Sequence, residues 1–84
     1  MATSGRVVFQ VGEEVQTAEQ LPADVRATLE RAGAVDVHAP HADVLPGLFV
    51  AVPPPGADAD ALARALSVLP SVRSAERDEL REAF

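Results

Sequence analysis

Leu48-Phe49-Val50-Ala51-Val52, entered from Leu45-Pro46-Gly47 and left through Pro53-Pro54-Pro55-Gly56, is the strongest strand signal in this 84-residue chain. An unbroken apolar run with β-branched and aromatic members suits a strand that carries apolar side chains on both faces. The three prolines cannot donate to a sheet ladder, so they end the strand and form a rigid corner. Beyond the corner, Asp58 or Asp60 can cap a helix in which Leu62, Leu66 and Leu69 share an inward stripe, and Pro70 marks its stop. Ser71 to Glu76 is then predicted as a short strand, followed by a charged tail that ends in Leu80 and Phe84.

Toward the N-terminus the same pattern repeats. Ala34 to Ala39 reads as a strand with Val35 and Val37 on one face and Asp36 and His38 on the other, closed by Pro40. Before it, Pro22 to Ala32 reads as a helix. Proline suits its first turn, Asp24 complements the dipole, Val25, Leu29 and Ala32 form one stripe, and Gly33 supplies the stop. Arg6 to Val11 alternates, with Val7, Phe9 and Val11 on one side and Arg6, Val8 and Gln10 on the other, which is the period of a strand.

The resulting order, strand-helix-strand-strand-helix-strand, is that of an α+β, ferredoxin-like βαββαβ fold, with two helices on one face of an antiparallel sheet. Residues 1–5 are expected to be a flexible N-terminus, 6–76 the folded domain and 77–84 an extended tail. The helices leave the other sheet face open. On this reading Val8, Phe49 and Ala51 lie there, and an uncovered apolar sheet face argues for docking onto another protein.

Composition narrows the function classes. Apolar residues make up 48% of the chain, but they are mostly small: 16 Ala and 12 Val against 8 Leu, 3 Phe and 1 Met. A core with so little aromatic mass, and no cysteine to staple it, is marginally stable and gains from a partner surface. The net charge of −6, with the basic residues scattered along the chain, disfavours nucleic acid. No apolar run is long enough to span a bilayer, so no membrane association is expected. No signal-peptide run opens the sequence; a chain starting natively at Met1 would stay in the cytoplasm, and one whose signal peptide had been removed would be secreted.

The last third resembles the end of a subtilisin-family propeptide. The shared order is a glycine opening strand three, a helix, a Pro-Ser-Val step into strand four, an acidic patch and a short tail with an aromatic residue at the cut. Here those features fall on Gly47, on Pro70-Ser71-Val72, on Glu76 and Asp78, and on Ala83-Phe84. Arg6 to Asp43 matches in element order alone.

The resemblance implies an inhibitor and intramolecular chaperone of a subtilisin-like serine protease. In that family the open sheet face packs on two protease helices and acidic side chains cap their N-termini; Glu76 and Asp78 match those positions. Carboxylates there satisfy orphan N–H groups and complement the dipole. Leu80-Arg81-Glu82-Ala83-Phe84 would enter the substrate cleft as an added strand, with the Phe84 ring in the primary pocket and its carboxylate beside the catalytic serine as a product. Arg81 departs from the small or apolar residue usual at its place, which implies either an acidic pocket or a different register in the tail. Such a domain is not itself an enzyme and needs no cofactor.

Other chemistry is thinly represented. His38 and His41 with Asp36 and Asp43 offer imidazoles and carboxylates, but Pro40 divides them and no further ligand is fixed, so no metal is expected. The serines have no histidine close in sequence, and the five glycines are too scattered for a phosphate loop. A single aromatic on an acidic domain makes a poor base-stacking platform. The alternative to the propeptide reading is a small ferredoxin-like interaction or regulatory domain that pairs through its open sheet face.

Overall fold

The computed structural model describes residues 5–40, 42–54 and 56–79, with the side chains of Asp78 and Glu79 left aside. Its elements are β1 (Gly5–Gln10), a single 3-10 turn (Ala18–Gln20), α1 (Ala23–Ala32), β2 (Val35–His38), β3 (Leu48–Val52), α2 (Ala59–Ser67) and β4 (Ser74–Glu79). The strands form one sheet in the order β2-β3-β1-β4, antiparallel throughout. This β-α-β-β-α-β chain path is a ferredoxin-like α+β arrangement, as the sequence pattern predicts.

Each helix forms where its local chemistry directs. Pro22, with φ −57°, stands at the N-cap of α1 and its carbonyl accepts the Arg26 N–H at 3.0 Å. An N–H at that position would have no helical partner, so a residue lacking one loses nothing. The Asp24 carboxylate accepts from Val25 N–H at 2.9 Å. At the far end Gly33 is left-handed at φ 72°, and the N–H groups of Gly33 and Ala34 reach back to the Glu30 and Leu29 carbonyls. This arrangement satisfies carbonyls that would otherwise be orphaned. Asp58 caps α2 by accepting from Asp60 N–H at 3.0 Å.

The core lies between the helices and one sheet face. Val25 and Leu29 of α1 and Leu62 and Leu66 of α2 pack over Val7 and Phe9 of β1 and Phe49 and Ala51 of β3. Phe9 and Phe49 stack with ring centroids 5.7 Å apart. The connection from β1 to α1, polar in its sequence, is anchored by buried Val15 and Leu21. Gln20 braces it, its side-chain oxygen accepting from the Gln16 and Thr17 N–H groups.

Two elements differ from the sequence expectation. β4 spans Ser74–Glu79 and not Ser71–Glu76. Val72 is drawn into the core and its N–H bonds the Leu69 carbonyl, so residues 70–73 close the helix before the strand starts. Residues 77–79, expected in the tail, are therefore paired with β1. In β2 the pairs Val35–Val52 and His38–Val50 leave two residues facing one, a bulge centred on Asp36 at φ 53°. Val35 and Val37 thus point to opposite faces instead of sharing one.

Candidate protein-docking face

Residues directly opposite in an antiparallel ladder share a face of the sheet. Phe9 pairs with Phe49 and Val7 with Ala51, and all four are fully buried beneath the helices. The expectation that Phe49 and Ala51 lie on the open face is therefore corrected: both belong to the core. The cause is that β3 is apolar on both faces, so its own pattern cannot say which side turns inward; the inward Phe9 of the neighbouring strand decides it.

The open face belongs to the other set. Val8 lies there as expected, opposite Val50, and it is joined along β3 by Leu48 and Val52. These β3 residues are the ones that sequence reasoning missed. The signal that could have found them is the pairing rule applied with Val7 and Phe9 already turned inward. Val8, Leu48 and Val52 are half-buried, and Val50, in the middle of the sheet, is 5% exposed. On β2 the bulge adds Val35 and His38 to this face through their pairs Val52 and Val50.

Charge enters from β4. Glu76 is opposite Val8, so it takes the open side of the strand by register, and Asp78 pairs with Arg6 along the backbone. The Glu76 side chain is exposed. Arg77, between them, turns to the helix side and pairs with Asp60 at the start of α2, 3.4 Å away. Leu80, Arg81, Glu82, Ala83 and Phe84, the residues expected to enter a protease cleft, lie outside the described residues, as does His41. Among the described side chains the face thus has an apolar centre, with Arg6 on β1 and the Glu76 carboxylate on its β4 border.

Elsewhere the described residues offer less. His38 Nδ1 donates to the Asp36 carbonyl at 2.8 Å, and no group of three or more His, Cys, Asp and Glu that could hold a metal ion occurs among the described residues. The Ser67 hydroxyl donates to the Arg64 carbonyl at 2.9 Å. A groove of about 500 Å³ runs between the outer surfaces of α1 and α2, floored by Ala32, Ala61, Leu62 and Leu69. No described helix is long and apolar enough to cross a membrane. Comparisons with models of protein families, with curated proteins and with solved structures return no match for the chain.

Proposed function

We propose that this domain inhibits a subtilisin-like serine protease and assists its folding, as the protease's propeptide or as a separate inhibitor of the same type. The observation that supports this reading is an apolar open sheet face bordered by Glu76 on the outward side of β4, the strand that leads toward Leu80–Phe84 in sequence. The apolar side chains of Val8, Leu48 and Val52 would pack on protease surface helices. Glu76 and Asp78 would meet the N–H groups at the helix ends, where a carboxylate contributes about 0.5 to 2 kcal/mol. Leu80 to Phe84 would then follow the substrate cleft as an added strand.

Inhibition follows from a segment that occupies the cleft while the sheet face holds it there. Chaperoning follows from the same contact, since a surface that binds the folded protease stabilises that fold by mass action. The small, alanine-rich core fits this role: a domain ordered chiefly on docking is readily degraded once released.

The test is inhibition of a purified subtilisin-type protease by the intact chain, by a form ending at Glu79, and by the Glu76→Ala, Asp78→Ala double variant. Ending at Glu79 leaves β4 whole, so lost inhibition reports on the cleft segment and not on unfolding. Inhibition should weaken at least about tenfold, or 1.4 kcal/mol, in both altered forms. If the intact chain is digested without a lag, the reading fails. A second reading, self-pairing through the same apolar face, predicts instead a dimer that survives removal of residues 80–84.

A further inference from the structure

The sheet ends on β2 at one side and β4 at the other, and each end offers backbone N–H and C=O groups to any further strand. β4 is guarded by charge. A second copy related by a two-fold axis normal to the sheet would set one residue opposite itself, because opposed residues share a face. The two such registers that overlap most of Ser74–Glu79 centre on Glu76 or on Arg77. Either one places like charges opposite each other, which opposes pairing. β2 has little of this protection in its composition, since Asp36 is the one charged residue between Ala34 and Ala39. Its inner neighbour β3 is an uncharged run of five apolar residues, and Val35 stands at the same border 52% exposed. Apolar, β-branched strands without charge readily add further strands.

The bulge supplies what the composition lacks. Between the pairs Val35–Val52 and His38–Val50, Asp36 and Val37 share the single residue Ala51, and Val37 is the one that packs with Ala51 in the core. Asp36 is therefore the extra residue. With it removed, Val35, Val37 and His38 alternate regularly on the faces they already hold. Its φ of 53° turns the chain off the extended path, which puts the outward row of N–H and C=O groups out of step. Its carbonyl already accepts from His38 Nδ1 at 2.8 Å, and its side chain is exposed, adding a charge to the border. We propose that the Asp36 insertion closes the β2 edge to strand addition by a second copy of the chain, so that the sheet stays at its own four strands. This holds whether or not the domain binds a protease.

The experiment measures mass in solution by sedimentation equilibrium, from micromolar to millimolar concentration, with hydrogen exchange of the β2 amides read alongside. The forms are the intact chain, one lacking Asp36, that deletion combined with Val35→Lys, and the single variants Asp36→Gly and Asp36→Val. The form lacking Asp36 should self-associate at least about tenfold more tightly than the intact chain, with slowed exchange of its β2 amides. Val35→Lys, which returns a charge to the same border, should reverse this. Asp36→Val, whose β-branched side chain disfavours the left-handed backbone, should associate more tightly than Asp36→Gly, which adopts it freely. That pair keeps the chain length and decides the matter where the deleted form does not fold. A folded deletion form as monomeric as the intact chain overturns the proposal, as does association that Val35→Lys leaves unchanged. Equal association of Asp36→Val and Asp36→Gly, or an intact chain that associates with its β2 amides protected, overturns it too.

Discussion

Phe9 and Phe49 face each other across the β1–β3 ladder and stack with planes 16° apart, so each strand turns its largest side chain to the helices. That pair assigns both faces of the sheet. It commits Val7 and Ala51 to the core, and it leaves Val8, Leu48, Val50 and Val52 on the open face.

Removing one of these rings is correspondingly severe. Among the described residues Phe9 and Phe49 are the largest fully buried side chains, and Phe49→Ala should lose about 3–5 kcal/mol. For a domain of this size that is much of its stability. Urea titration followed by circular dichroism should find Phe49→Ala largely unfolded in buffer and Phe49→Leu still folded with a lower midpoint.

Gly47 and Gly56 have similar backbone angles, φ 87° and 83°, but different surroundings. A Cβ on Gly47 would lie 2.6 Å from the Val11 carbonyl oxygen, whereas at Gly56 nothing is within 4 Å. The contact at Gly47 is backbone and is held by the Val11 N–H to Gly47 carbonyl bond of 2.8 Å, so it cannot swing aside. Gly56→Ala should cost about 1 kcal/mol, the left-handed conformation alone. Gly47→Ala should cost at least about 2 kcal/mol more, measured as the difference between their urea midpoints multiplied by a common slope.

At the start of α2, Asp58→Ala should cost about 1 kcal/mol, because the Asp60 N–H loses its cap. Asp58→Asn should recover most of that loss. Thermal melts of the three forms are sufficient to see it.

The Arg77–Asp60 ion pair ties β4 to α2, yet its side chains are 36% and 54% exposed. Solvent screens such pairs, so a double-mutant cycle with Arg77→Ala and Asp60→Ala should give a coupling below about 1 kcal/mol, smaller still at high salt. Asp60→Ala leaves the cap from Asp58 in place, which keeps the cycle interpretable.

The element order was legible because each helix carries its own stop and cap: Gly33 and Pro22 for α1, Asp58 and Pro70 for α2. β3 was legible as a strand but not in its orientation, since Leu48, Val50 and Val52 are as apolar as Phe49 and Ala51. Only a long-range fact, the register with β1, breaks that tie. The β2 bulge left no local mark either. Ala34 to Ala39 alternates as a regular strand does, and aspartate tolerates the left-handed conformation without demanding it. β4 starts late because Val72 serves the core in a turn, while its β-branched side chain suggests a strand. On the candidate site, Val8 was legible from alternation and Glu76 was singled out through the resemblance, whereas Val35, Leu48, Val50 and Val52 depended on pairing.

The most direct measurement is slow-binding inhibition of a subtilisin-type protease by the intact chain beside Val8→Arg. Val8 is opposite Glu76, so an arginine there gains an opposite-charge neighbour across the strands and the fold tolerates it. The same arginine puts a cation in the middle of the apolar docking face and offsets the acid beside it. Docking through this face predicts tight inhibition by the intact chain, and at least about a hundredfold weaker inhibition, or 2.7 kcal/mol, by Val8→Arg at an unchanged thermal midpoint. Equal inhibition by both forms, or digestion of the intact chain as an ordinary substrate, would contradict it.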